Sequence, residues 1–130
     1  MSRWVAYDQA YDPPAPIIPV RIADPEEENA VLVPGLIDTG ADCTLIPPDI
    51  ARGLRLPQVG RLDITGVGGG GGSAPVYAGR VEIGGVRVLG RLAAYEDEVI
   101  LGRDLLNRIM ALLDGPRLRL RLSSERRRGR

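Results

Sequence analysis

The stretch Leu36-Ile37-Asp38-Thr39-Gly40-Ala41-Asp42-Cys43-Thr44-Leu45-Ile46-Pro47 decides how the chain is read. Its first residues close an almost continuously apolar run, Ala30 to Ile37, which has the length and composition of a buried strand. That strand delivers a carboxylate, Asp38, to its own end. Thr39 adds a hydroxyl able to bond a neighbouring loop, and Gly40 lets the backbone turn and a ligand approach closely. A carboxylate in so tight and apolar a turn is costly unless it is hydrogen-bonded or shares a proton. Past the turn, Leu45-Ile46 is a second short buried piece, broken by Pro47 and Pro48.

Outward from this centre the pattern is of short apolar runs punctuated by 17 glycines and 11 prolines, which predicts many strands and few helices. Upstream, Trp4 to Tyr7 and Ile17 to Ile22 read as strands, and Asp24 to Asn29 as an acidic turn. Downstream, Asp49 to Leu54 suits one helical turn, and Gly60 to Thr65 alternates as a strand does. Gly66 to Ser73 is of low complexity, with five consecutive glycines at Gly68 to Gly72. Pro75 to Ala94 reads as two strands around Gly84-Gly85, a pair suited to a tight hairpin because glycine accepts positive φ. Val99 to Leu101 is a further buried strand. From Arg103 to about Leu112 the apolar positions Leu105, Leu106, Ile109, Met110 and Leu113 share one helical face. Gly115-Pro116 stops that helix, and Arg117 to Leu122 alternates with Arg outside and Leu inside. Residues 1–124 are thus expected to form one domain, and residues 125–130 a basic, disordered tail.

Composition narrows the chemistry. The chain has 130 residues, a formal net charge of zero from 17 basic and 17 acidic residues, 44% hydrophobic residues and 26% charged ones. This is an ordinary globular balance with no nucleic-acid footprint in its body. Histidine is absent, which excludes a Ser-His-Asp triad. Lysine is absent, which excludes a Walker-type phosphate loop. Cys43 stands alone, so one chain can build neither an internal disulfide nor a Cys/His zinc site, and Cys43 reads as a small buried or substrate-proximal side chain. Asp, Glu and Tyr are left for acid–base work. No apolar run is long enough to span a membrane and the N-terminus lacks a signal-peptide core, so a soluble cytoplasmic protein is expected.

One carboxylate is a poor peptide hydrolase. Two within hydrogen-bonding distance hold a single proton between them. The ionised member then acts as base toward a water, and the protonated member polarises the scissile carbonyl. The chain has no internal repeat and one such turn, so a two-fold homodimer is the economical route to two.

The segment around Asp38, followed by Ile100-Leu101-Gly102-Arg103-Asp104-Leu105-Leu106 ahead of a helix, resembles the retropepsin family, the homodimeric aspartic proteases of retroviruses and their cellular and bacterial relatives. The resemblance runs from about Val31 to Ile109, with Gly66 to Ser73 in the place of the family's flap. It implies an all-β, closed-barrel protomer with one short C-terminal helix, active as a homodimer. It also implies an aspartic endopeptidase that works through activated water, with an acidic optimum and without metal, cofactor or covalent intermediate. Asp38, Thr39 and Gly40 would form the catalytic turn, with Thr39 bonding its partner copy across the axis. Gly40, Ala41 and Asp42 would meet the substrate main chain. Gly68, Gly69 and Gly70 would belong to the tip that closes over it. Arg103 would pair with Asp42 to fix the loop, with Asp104 competing for the same guanidinium. Leu118, Leu120 and Leu122 would supply the interface strand.

The partners implied are a second copy and a peptide or protein substrate, with no nucleic acid and no membrane. The alternative on the same scaffold is a non-catalytic homodimeric module that holds peptides without cutting them. A carboxylate glycosidase needs a second acid across a sugar-sized cleft, and no other acid in the chain has a matching context.

Overall fold

The computed structural model describes residues 3–65 and 71–124. Along the chain run β1 (Trp4–Ala6), β2 (Ile17–Ala23), β3 (Ala30–Ile37), β4 (Thr44–Ile46), α1 (Pro48–Gly53), β5 (Gln58–Thr65), β6 (Gly71–Ile83) and β7 (Val86–Ala94). β8 (Val99–Leu101), α2 (Arg103–Leu106), β9 (Met110–Asp114) and β10 (Arg119–Ser123) complete the order. The sequence-predicted flap tip at Gly68, Gly69 and Gly70 and the tail 125–130 lie outside the described residues.

Six strands in the order β2-β3-β8-β4-β7-β6 close into a barrel, because β6 pairs back onto β2 through Arg21↔Glu82, Ile22↔Val81 and Ala23↔Arg80. β5 adds outside β6. The all-β closed barrel expected from the sequence is therefore what the chain forms. Alternation along each strand explains the closure. On β2, Ile18, Val20 and Ile22 point inward and are at most 2% exposed. Val81 and Ile83 on β6, Leu92 on β7 and Leu101 on β8 meet them in one core. Burying each such side chain is worth about 1.5–3 kcal/mol. The hairpin between β6 and β7 turns on Gly84 and Gly85 at φ +53° and +81°, a conformation in which a Cβ is strained. α1 begins at Pro48, where a missing N–H costs nothing, and buries Ala51.

A second sheet, β1-β10-β9, docks on the barrel. Its inner face carries Leu120 and Leu122, 0% and 6% exposed. Its outer face stacks the guanidinium groups of Arg119 and Arg121 on the Trp4 ring, 3.9 and 4.7 Å from its centroid.

Two sequence expectations fail here. The helix expected from Arg103 to about Leu112 stops at Leu106, and Met110–Asp114 is a strand in register with β10 from Arg119↔Asp114 to Ser123↔Met110. The apolar spacing fits a helix, but a short amphipathic segment is decided by its tertiary partner. β10 offers a five-residue ladder that an extended chain accepts and a helix cannot. The interface strand expected from Leu118, Leu120 and Leu122 is also revised. Leu120 and Leu122 belong to the chain's own core, and Leu118 sits at φ +51° in the turn before β10. No helix among the described residues is long and apolar enough to cross a membrane.

Candidate active site

β8 lies between the two strands that flank the Asp38 turn. It runs parallel to β3 through Leu36↔Ile100 and antiparallel to β4 through Leu45↔Ile100. The connection from Asp38 to Cys43 must therefore arch over the end of β8, and each side of the arch is tied down. The Asp38 N–H donates to the Leu101 carbonyl at 3.1 Å, and the Ala41 N–H donates to the Asp38 carbonyl at 3.1 Å. The Gly40 N–H donates to Asp38 Oδ1 at 2.9 Å, which fixes the carboxylate within its own turn. Asp38 is half-buried, and Thr39 and Gly40 are exposed beside it. A carboxylate is thus held rigidly at an open surface.

α2 braces the arch from below. The Arg103 N–H donates to the Ala41 carbonyl at 2.8 Å, and the Arg103 guanidinium donates to the Thr39 carbonyl at 2.7 Å. The expected Arg103–Asp42 ion pair is absent within the chain. The guanidinium's forked donors find the main-chain acceptor of the turn itself, and Asp42 is exposed and accepts no hydrogen bond from the described residues. Nor does Asp104 compete for Arg103. Its carboxylate accepts from the Thr44 hydroxyl at 2.8 Å and the Thr44 N–H at 3.2 Å, and the Thr44 hydroxyl in turn accepts from the Gly102 N–H at 3.2 Å. Thr44 is 1% exposed, so this small network is the internal rivet between β4, β8 and α2.

Sequence reasoning gave no role to Thr44 or to Gly102. The Gly102 requirement was readable in principle, as a glycine between a buried strand and a helix start. The Thr44–Asp104 contact joins two residues far apart in the chain and left no local signal.

Asp42 and Cys43 line two adjoining hollows beside the turn. One of about 320 Å³ is completed by Leu62, Asp63, Ile64 and Thr65 of β5. The other, of about 200 Å³, reaches Arg61, Val76 and Arg91. The arms of the β5–β6 hairpin approach so closely at Thr65↔Gly71 that a Cβ on Gly71 would overlap the Ile64 carbonyl oxygen. Arg61 Nε ties the arms through Ser73 Oγ at 2.9 Å. Ala41 and Asp42, expected at the substrate, thus stand with Asp38, Thr39 and Gly40 on one open edge. A hollow of about 400 Å³ bounded by Arg21, Glu27, Arg80 and Arg87 lies at the other end of β2 and β3. Glu27 already occupies those arginines, at 3.1 Å from Arg21 and 3.0 Å from Arg87.

The Cys43 thiol is pushed up from its ordinary pKa, first by burial and then by the negative charges of Asp42 and Asp104. The thiolate is the reactive form, so its fraction at neutral pH is reduced. Iodoacetamide at pH 8 is expected to modify Cys43 more slowly than it modifies glutathione. Because burial is the larger cause, Asp104→Asn restores only part of the difference. Timed mass spectrometry measures both, and alkylation as fast as that of glutathione would contradict this account.

Comparison with known families matches the aspartyl protease family over residues 18–105, more than half of the chain. Among solved structures, the EIAV protease in complex with an inhibitor is 26% identical, with a TM-score of 0.56, over 79% of this chain and 92% of its own. A retropepsin-like aspartic protease from Rickettsia conorii is 19% identical, with a TM-score of 0.63, over 94% of this chain and 89% of its own. The foamy viral protease-reverse transcriptase bound to an RNA/DNA hybrid is 20% identical, with a TM-score of 0.54, over 72% of this chain, which spans 12% of that larger one. The last two likenesses are of fold. No curated protein matches the chain. With the Asp38 turn, the six-strand barrel and the family match in agreement, the chain belongs to the aspartyl protease family and has a retropepsin-like fold.

Proposed function

We propose that two copies of the chain pair about a two-fold axis so that Asp38 of each faces the other, forming one peptide-cleaving site per dimer. The observation that carries this reading is the Asp38 carboxylate itself. It is fixed by Gly40 N–H at the surface of a turn that β8 and Arg103 hold from behind, and the chain supplies one such turn. Two carboxylates at short range retain one proton between them. The ionised member takes a proton from a water as that water attacks the scissile carbonyl carbon. The protonated member gives its proton to the carbonyl oxygen, leaving a neutral tetrahedral diol. On collapse one hydroxyl proton passes to the ionised carboxylate while the protonated carboxyl gives its proton to the leaving amine, so the C–N bond breaks and the dyad again holds one proton.

Exposed Thr39 offers its hydroxyl to the partner's turn across the axis. Gly40, Ala41 and Asp42 line the substrate main chain, and Gly68, Gly69 and Gly70 are assigned to substrate binding with them. The substrate is a peptide or protein segment in extended form. The test is digestion of a diverse peptide library across pH with solution mass measured in parallel. A bell-shaped profile within about pH 4 to 7 is expected, because the site fails when the pair holds either two protons or none. A stable dimer that binds peptides and cuts none at any pH assigns the scaffold to peptide binding instead.

A further inference from the structure

We propose that the hollow at the β2–β3 hairpin end of the barrel is a binding site for a phosphate monoester, and that the Glu27 carboxylate is its resting occupant. The proposal stands independently of the hydrolase reading, because Glu27 precedes β3 and Asp38 follows it. Strand register brings the charges together. Arg21 on β2 stands opposite Glu82 on β6, and Glu82 stands opposite Arg87 on β7, so the three form one row across the barrel. Arg80 is two residues from Glu82 on the same strand and so shares its face. The loop between β2 and β3 then sets Glu27 on this row. Its carboxylate lies 3.1 Å from Arg21 Nη1, 3.0 Å from Arg87 Nη2 and 3.9 Å from Arg80 Nε. Glu82 reaches Arg87 at 3.7 Å. The hollow of about 400 Å³ around them is lined also by Val81 and Val88.

Surface ion pairs are individually weak, and this cluster differs from a set of them in conformation, donors and charge. Glu27 holds φ +58°, where glycine, asparagine or aspartate is the ordinary choice. The turn does not need its carboxylate. The Glu27 N–H donates to the Asp24 carbonyl at 2.8 Å, and the carboxylate of buried Asp24 accepts from the N–H groups of Glu26 and Asn29. A glutamate at this position is therefore explained by what its side chain reaches, and that side chain can swing out without unfolding the loop. Donors are in surplus. Among the described residues Arg21 and Arg87 each use one nitrogen on Glu27, and Arg80 uses Nε on the Pro25 carbonyl at 2.7 Å. Most of the forked donors are left for a further acceptor. The charge is unbalanced as well. Three guanidinium groups face two carboxylates, or +3 − 2 = +1, and with Glu27 withdrawn the remainder is +3 − 1 = +2. A phosphate monoester carries about −1.5 to −2 at neutral pH and has acceptor oxygens that match arginine forks. A lone carboxylate leaves both charge and donors unmatched.

Titration calorimetry of the full chain at low ionic strength tests this with inorganic phosphate, O-phosphoserine and a short phosphoserine peptide. Glu27→Gly accepts the positive φ and removes the competing carboxylate. It is expected to bind inorganic phosphate about tenfold more tightly than wild type, whose site must first be vacated. Adding Arg87→Gln to Glu27→Gly is expected to reverse that gain. Equal affinity for phosphoserine and the phosphopeptide supports the site and makes a small phosphate compound its source. Tighter binding of the phosphopeptide than of phosphoserine or of the unphosphorylated peptide supports the site and makes a modified chain its source. Glu27→Gly that binds phosphate no better than wild type overturns the proposal and leaves Glu27 as a lock on the hairpin. Binding that survives Arg87→Gln overturns it too. If Glu27→Gly does not fold, as judged by circular dichroism, Glu27→Gln removes the charge at nearly constant shape and is held to the same two criteria.

Discussion

Asp38→Asn is expected to abolish peptide cleavage, with a loss in kcat/KM of about 10⁴-fold or more, while fold and dimer persist. Asparagine keeps the size of the side chain and keeps an oxygen that can accept the Gly40 N–H bond made at 2.9 Å. It removes the proton-accepting group from both halves of the site, because a homodimer carries each substitution twice. General base and general acid assistance are each worth roughly 10²–10⁴-fold, and the dyad supplies both. Library cleavage with purified variant and wild type gives the ratio, and sedimentation with thermal melting gives the control. Cleavage retained within tenfold would remove Asp38 from the chemistry. A variant that falls apart would show that Asp38 acts in assembly.

Gly102→Ala should be strongly damaging for so small a substitution. A Cβ there would overlap the Cys43 carbonyl oxygen and stand 2.5 Å from its carbon and 2.9 Å from its nitrogen. All three are backbone atoms of the arch, with no flexible side chain to yield. Overpacking of this kind costs about 1–3 kcal/mol when side chains can move, and backbone contact puts Gly102→Ala at or above the upper end. For a domain of this size that is a fall in melting temperature of about 10 °C. The strain falls on the one segment that carries Asp38, so activity is expected to drop by more than the loss of folded protein explains. Activity per folded molecule separates the two effects. A wild-type melting point would show that the Cys43 backbone moves aside freely.

What could be read from the sequence was what depends on near neighbours. The β6–β7 hairpin follows from Gly84-Gly85, the inward face of β10 from alternating Arg and Leu, and the Asp38 turn from an apolar strand running into Asp-Thr-Gly. What could not be read depends on distant partners. Leu105, Leu106, Ile109, Met110 and Leu113 have helical spacing, yet β10 draws the last of them into a strand. The family resemblance paired Arg103 with Asp42, but its position under the arch aims it at the Thr39 carbonyl. Asp104 was read as a rival for Arg103, and Thr44, given no part from sequence, turned out to be its hydrogen-bond partner. A charged residue's partner is set by where its backbone is held, and spacing along the chain does not contain that.

The insertion of β8 between β3 and β4 has a consequence for biogenesis. During translation the Asp38 segment leaves the ribosome long before residues 99–101, at roughly 5–20 residues per second. Until they arrive, β3 and β4 have no strand to join them, Asp38 N–H has no Leu101 carbonyl, and Arg103 is missing from beneath the loop. A nascent or prematurely terminated chain therefore carries the acidic residue in a segment that lacks these ties. On the proposed hydrolase reading, the site can be completed only after residues 99–103 have been made and docked under the loop.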